Sequence, residues 1–236
     1  MSKRAGASRE PLSRDRILET AVAIADADGI EALSMRRLGQ ALSVEAMSLY
    51  KHVANKDDLL NGIADRAVAE VELPGVAGSP PAESWVEAMR RRSISMYRMI
   101  RRHPWAAALM ESATSPGPDR LQYMEWLLRT VRDAGFSLPM TFRALMTIDG
   151  YIYGFTIQEQ SWSFDRQALA DAAAEMEPRV APGDYPRLAE MVAYAIGPLQ
   201  QQRAASNDPG GFLQEFTDGL DLILAGLDQM RDRSNS

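Results

Sequence analysis

Between residues 33 and 60 the chain reads LSMRRLGQALSVEAMSLYKHVANKDDLL, and the chemistry these side chains can do is recognition rather than bond-making. A methyl (Ala46), a thioether (Met47), a hydroxyl (Ser48), an amphipathic ring (Tyr50), an ammonium (Lys51) and an imidazole (His52) follow one another closely. Such a mix suits a nucleic-acid duplex. The hydroxyl and the ring can bond phosphate oxygens, the methyl and thioether can touch a thymine methyl, and Lys51 supplies charge. Arg36, upstream, can reach a guanine edge or a phosphate. Lys56, at the start of the next helix, puts charge and open backbone N–H groups where a phosphate binds. The expected DNA-binding residues are therefore Arg36, Ala46, Met47, Ser48, Tyr50, Lys51, His52 and Lys56.

Residues for bond-making are sparse. The chain has no cysteine, which excludes a disulfide framework, a thiol nucleophile and a thiolate metal site. It has two histidines, His52 and His103, and no Glu-x-x-His pair from which to build a di-iron site. No glycine-rich phosphate loop is visible. His103, beside Pro104 and Trp105, reads as a residue completing a helix end. No catalytic residue, metal site or cofactor is expected. Two alternatives of other classes stand beside the DNA-binding reading: a small-molecule-binding helical enzyme, and an interaction protein without DNA contact. Titration against salt separates them, because a DNA binder weakens steeply as counterions compete.

The elements that must position the recognition residues are helices. The apolar pattern has helical spacing throughout, with no alternating strand pattern of useful length. A first helix is expected over Arg14–Ala27, with Ser13 as its N-cap and Gly29 at its end. A second begins at Ser34 and ends near Leu42, a third spans Glu45–His52, and a fourth runs from Asn55 to about Val71, with Asp57 and Asp58 in its first turn. In the third, Leu49, with Val44 and Val53 at its ends, can turn inward against Ile17, Leu38 and Leu42, which sends the recognition residues outward. This is the geometry by which a helix–turn–helix unit places one face in the major groove.

The segment Leu73–Ser84 concentrates Pro, Gly and Ser and is expected to mark a domain boundary. Beyond it, helices are expected at Ala82–Arg102, Trp105–Ala113, Asp119–Ala134, Pro139–Trp162, Ala168–Met176, Asp184–Ile196 and Gly210–Arg231. The fold class is all-α: a three-helix helix–turn–helix DNA-binding domain with a basic N-terminal arm at residues 1–60, and a larger helical domain at 61–236.

The net charge of −6 permits this reading because of its distribution. Residues 1–16 carry Lys3, Arg4, Arg9, Arg14 and Arg16 against Glu10 and Asp15, and the acidic excess lies further on. At 46% hydrophobic and 25% charged the chain reads as a soluble globular protein. No apolar run approaches the roughly 18 residues of a membrane span, and the N-terminus lacks the apolar core of a secretory signal. A cytoplasmic location without a membrane partner is the default expectation.

In the last helix Leu213, Phe216, Leu220, Ile223, Leu224, Leu227 and Met230 recur at helical spacing, and Gly150 and Gly154 lie one turn apart in the long helix. Both features suit self-association, and both equally suit burial against the chain's own core. Thirteen methionines interleaved with aromatic residues offer either an adaptable ligand surface or ordinary core filling.

The run DGIEALSMRRLGQALSVEAMSLYKHVANKDDLL resembles the N-terminal domain of the TetR family of transcriptional regulators, and its LYKHV-x-NKDDLL part resembles the tetracycline-repressor branch. The likeness continues more weakly through ESW at Glu83–Trp85, DAGFSL at Asp133–Leu138 and the helix around Tyr151–Gln160. The resemblance implies a homodimer bound to palindromic double-stranded operator DNA, a repressor released when a small-molecule effector binds. The family's DNA contacts fall on Arg36, Ala46, Met47, Ser48, Tyr50, Lys51 and Lys56. Two departures stand out: Ser43 occupies a turn position where many relatives have Gly, and Lys51 stands where an aromatic residue is common. The family's four-helix-bundle dimer implies an interface at Gly150, Gly154, Phe216, Leu220, Ile223 and Leu227. Its effector site implies ligand contacts from Met96, Met110, Met124, Leu127, Phe142, Leu145 and Gln158. The branch's magnesium-ligand positions fall on Met110 and Gln158, which are poor ligands for that ion, and the histidine expected after the fourth helix is missing. The implied effector is apolar or aromatic, not a magnesium–tetracycline chelate.

Overall fold

The computed structural model describes residues 11–76, 78–112, 115–161, 171, 175–176, 178, 183–197, 201 and 212–234. Among these, all regular structure is helical: α1 (Arg14–Asp28), a short 3₁₀ turn (Ile30–Ala32), α2 (Met35–Leu42), α3 (Ala46–Leu49), α4 (Lys56–Val68), α5 (Trp85–Arg102), α6 (Ala106–Ser112), α7 (Pro118–Asp133), α8 (Leu138–Ser161), α9 (Pro186–Ile196) and α10 (Leu213–Ser234). None of them is long and apolar enough to cross a membrane. The chain forms two compact units, residues 1–141 and 142–236. The basic arm residues Lys3, Arg4 and Arg9 and most of the helix expected at 168–176 lie outside the described residues.

In the first unit, small polar side chains start the helices where the sequence suggests. Ser13 accepts from the Arg16 N–H, Ser34 from Arg37, Asn55 from Asp58 and Ser84 from Glu87. Each satisfies one of the donors that an α-helix leaves open at its N-terminus. At Ser84 the cap is reciprocal in character, since the Glu87 carboxylate reaches back to accept from the Glu83 N–H at 2.7 Å. Ile17, Ala21, Leu38, Leu49, Leu59 and Ile63 are fully buried, so α1, α2, α3 and the front of α4 close around one small core.

The third helix is shorter than expected. It ends at Leu49, and Tyr50–His52 form a turn in which the His52 and Val53 N–H groups both reach back to the Leu49 carbonyl. The chain has to turn there to bring Asn55 into position as the cap of α4. That helix in turn ends at Val68 rather than Val71, and α5 starts at Trp85 rather than Ala82, just after Pro80, Pro81 and the Ser84 cap.

The Pro/Gly/Ser segment does not separate compact units; it is tied into the first one. Trp126 Nε1 donates to the Pro74 carbonyl at 3.1 Å, and Arg91 donates to the Pro80 carbonyl at 3.0 Å while pairing with Glu72. The guanidinium beside Glu72 holds that carboxyl below the usual carboxylate range. Trp85 packs edge-on against Phe136, with ring centroids 4.8 Å apart.

Helix α7 has no cap of its own. Asp65, on α4, supplies it: Oδ1 accepts from the Arg120 N–H at 2.8 Å and Oδ2 from the Asp119 N–H at 3.4 Å. Gly117 makes that approach possible, because a Cβ there would overlap the Asp65 carboxylate. Burial, reinforced by the nearby Asp65 charge, pushes the Asp119 carboxyl above its usual range.

In the second unit α8 and α10 pack together. The Tyr151 ring stacks on Phe216 at 5.4 Å, and its hydroxyl donates to the Phe216 carbonyl at 2.9 Å. Phe155 meets Phe216 edge-on, and Gly219 leaves room for the Tyr151 hydroxyl, which a Cβ there would strike. Burial raises the Tyr151 hydroxyl above its usual pKa.

Candidate nucleic-acid interface

The recognition residues stand on a frame held from behind. Leu49 and Val53 are buried, as their spacing implied, and Val44 is half-buried. In front, Met47 is 73% exposed and Tyr50 45% exposed. Arg36, Lys51 and Lys56 are exposed, while Ala46, Ser48 and His52 are half-buried. Met47 and Tyr50 thus offer apolar and aromatic surface in the same stretch of chain as the exposed cation Lys51.

Ion pairing separates the cations into two sets. Arg14 pairs with Asp58, Arg37 with Asp28, and Arg66 with Glu19. Arg36, Lys51 and Lys56 make no ion pair among the described residues. The first set is spent on structure; the second remains available to phosphate.

Arg14 does more than add charge to the basic arm. It holds Asp58 through two hydrogen bonds of 2.7 and 3.0 Å and also donates to the His52 carbonyl at 3.0 Å. Asp58 further accepts from the Ala54 N–H at 2.8 Å. One guanidinium thus joins α1, the turn after α3 and the first turn of α4, and so fixes how Tyr50–His52 are presented. Its hydrogen bonds hold the Asp58 carboxyl below the usual carboxylate range. The spacing of Arg14 and Asp58, 44 residues apart, gave no signal of this contact.

The turn before α3 is equally specific. Ser43 adopts a left-handed conformation with φ 56° and ψ 44°. Its N–H bonds back to the Gln40 carbonyl at 3.1 Å and that of Val44 to Gly39 at 2.9 Å, closing α2 and reversing the chain into α3.

A second cluster braces the far ends of α1 and α4. His103 is buried, with Nδ1 2.7 Å from Asp26 Oδ1 and Nε2 3.2 Å from Glu70 Oε1. Trp105 Nε1 donates to the same Asp26 oxygen at 2.7 Å. The helix-end role expected for His103 holds, since it caps α5 through its N–H to the Met99 carbonyl. The two carboxylate contacts are additional and come from residues remote in sequence.

The residues expected to touch a ligand are distributed over both units. In the first, Met96 and Leu127 are buried, Met110 is half-buried and Met124 is exposed; in the second, Leu145 is half-buried while Phe142 and Gln158 are exposed. None of them lines the cleft of about 570 Å³ between α1, α4 and the α6–α7 turn, whose walls are Arg14, Asp57, Asp58, Asp65 and Arg66 among others. None lines the cavity of about 320 Å³ bounded by Val68, Val71, Leu73, Val76 and Tyr123 either. Of the expected interface residues, Gly150 and Gly154 face open space, and a Cβ on either would meet nothing within 4 Å. Ile223 is half-buried. Phe216, Leu220 and Leu227, by contrast, are buried in their own unit, so the stripe they form serves the chain's own core. Met230, of the same stripe, is exposed, and so are Leu222 and Gly226 outside it.

Comparison with known proteins agrees with this architecture. Residues 17–63 match the family described as bacterial regulatory proteins, tetR family, and residues 77–231 match the tetracyclin repressor-like C-terminal domain. The HTH-type transcriptional repressor DrrR1 of Streptomyces coeruleorubidus is 35% identical over 223 residues, 91% of this chain and 79% of the relative. The structure of the TetR family protein ActR of Streptomyces coelicolor in complex with actinorhodin superposes with a TM-score of 0.69 at 28% identity, over 92% of this chain and 97% of that one. The structure of BioQ with its double-stranded DNA operator does so with a TM-score of 0.54 at 28% identity, over 65% of this chain and 90% of that one.

Proposed function

The chain belongs to the tetR family of bacterial regulatory proteins, and on that premise we propose that it is a ligand-responsive transcriptional repressor, not an enzyme. It binds palindromic operator DNA as a homodimer in the cytoplasm and is released by a small molecule. The observation that carries the reading is the exposure of Met47 and Tyr50 beside the unpaired cations Arg36, Lys51 and Lys56. BioQ with its operator and ActR with actinorhodin lend support from relatives, the one for DNA and the other for a small-molecule ligand.

Residues 1–60 act as the reading domain and 61–236 as the effector and dimerisation domain. Ala46, Met47, Ser48, Tyr50, Lys51 and His52 approach the major groove, with Arg36 and Lys56 on flanking phosphates or bases. A two-fold dimer sets its reading helices about 34–36 Å apart, one turn of the duplex. Pairing runs through Gly150, Gly154 and Ile223, with the exposed Leu222 and Gly226 in place of the buried leucines. The effector is apolar or aromatic, and Met96, Met110, Met124 and Leu127 are its contacts in the first unit. Methionine and glutamine at 110 and 158 argue against a magnesium chelate.

Because α4 carries Lys56 at one end and Asp65 near the other, an effector that shifts α7 displaces the reading head. Operator and effector then oppose one another equally, since coupling between two ligands is reciprocal. The test is a fluorescence-anisotropy titration of labelled operator with rising salt. Affinity should fall steeply, as release of counterions requires. Affinity indifferent to salt, or no binding to any fragment of the neighbouring promoter DNA, would refute the reading.

A further inference from the structure

Helices α1, α2 and α4 each start on a side chain, Ser13, Ser34 or Asn55, that accepts from a backbone N–H further along. The start of α3 differs. Its cap residue is Glu45, whose carboxylate makes no capping hydrogen bond. The side chain is exposed, and it has no hydrogen-bond or ion-pair partner among the described residues. The backbone around it is packed against α2, because a Cβ at Gly39 would lie 3.0 Å from the Val44 carbonyl oxygen and 3.2 Å from the Ala46 nitrogen. Glycine at 39 lets α2 close onto this corner, while the Glu45 side chain stays in solvent, next in the chain to Ala46, Met47 and Ser48.

A bare carboxylate is at odds with a surface suited to phosphates, since like charges repel. The exposed cations Arg36, Lys51 and Lys56 do not neutralise it, for none of them forms an ion pair among the described residues. In the major groove few partners are open to it. Guanine offers two acceptors, thymine an acceptor and a methyl, and adenine an acceptor beside its amino group. Cytosine offers an amino donor alone, and glutamate is a side chain that accepts from it. We propose that Glu45 is a specificity-determining residue that selects a cytosine in each half-site of the operator. Part of its work is exclusion. At other bases it meets lone pairs, and on unrelated DNA phosphate repels it, so affinity for DNA in general is given up for preference for one site.

This inference rests on the DNA-binding reading above and deepens it by naming a base. The test uses the full chain as wild type, Glu45→Ala and Glu45→Gln, each selecting duplexes from a pool of random sequence. Anisotropy titrations of the enriched duplexes and of unselected DNA follow. Wild type should require a C·G pair at one position of each half-site, and replacing that pair should cost it about tenfold in affinity. Glu45→Ala should lose the preference at that position and keep the rest of the motif. Glu45→Gln should prefer adenine there, because an amide can both donate to N7 and accept from N6. Both variants should bind unselected DNA about two- to fivefold more tightly than wild type, the size of a screened charge repulsion. Variants that select the wild-type motif base for base overturn the proposal, as does a wild-type motif without that cytosine. If wild type itself enriches no sequence, the DNA-binding reading fails and the role of Glu45 falls with it.

Discussion

Tyr50 and its neighbours depend for their presentation on a side chain remote from them in sequence. Tyr50 stands outward because Arg14, behind it, holds the turn through the His52 carbonyl and Asp58. Tyr50→Ala should weaken operator affinity about tenfold while leaving the Tm of the free protein unchanged. An unchanged affinity would place the reading surface elsewhere. Lys51→Ala should weaken all DNA sequences alike and lower the slope of log affinity against log salt by about one. For the ion pair itself, Arg14→Met should cost only about 0.5–1 kcal/mol of stability, because both side chains are partly in solvent. The pH dependence has a definite sign. The Asp58 carboxyl lies below its unfolded value, so its contribution is complete above that value, about 3.9, and disappears as pH falls through the lowered folded one. Asp58→Asn should therefore flatten the acid limb of the stability profile; an unaltered limb would show that the pair contributes nothing.

Among the elements, turns and helix starts carry the specificity. Ser43 holds a left-handed conformation that costs a residue with a Cβ about 1–2 kcal/mol, partly offset by the backbone entropy that glycine would lose. Ser43→Gly should thus raise stability by about 0.5–1 kcal/mol, read as a higher denaturation midpoint at constant slope. No gain would mean that the serine hydroxyl stabilises the turn in some other way. At the other end of α4, Gly117→Ala would drive a methyl into the Asp65 carboxylate that caps α7. It should destabilise by about 1–3 kcal/mol. If α4 and α7 are coupled through this cap, the variant should also change operator affinity at temperatures where it is fully folded.

At the scale of the whole molecule, the dimer decides whether a short reading helix can be specific. Gly154→Leu places its side chain in space that is open within the chain, so the protomer should fold normally. Sedimentation should then show monomers, with operator affinity lost. A Gly154→Leu protein that remains dimeric would move the interface to another surface. Gly219→Ala makes the contrast, because its methyl meets Tyr151 of the same unit and should lower stability whatever the oligomeric state.

Local signals were legible in the residues alone. Helix starts at Ser13, Ser34, Asn55 and Ser84, the inward turn of Leu49 and Val53, and the outward stand of Met47 and Tyr50 all follow from capping chemistry and helical periodicity, which act over three or four residues. The all-α class follows for the same reason. What no spacing could reveal were contacts closed over long stretches of chain: Arg14 with Asp58, Asp65 with the start of α7, and His103 between Asp26 and Glu70. The stripe of Phe216, Leu220 and Leu227 belongs to the same class, because an apolar face looks alike whether its own unit or a second copy covers it. Sequence sets which faces must be hidden and which caps must close; only the packed chain decides what hides them and which charges are thereby left free.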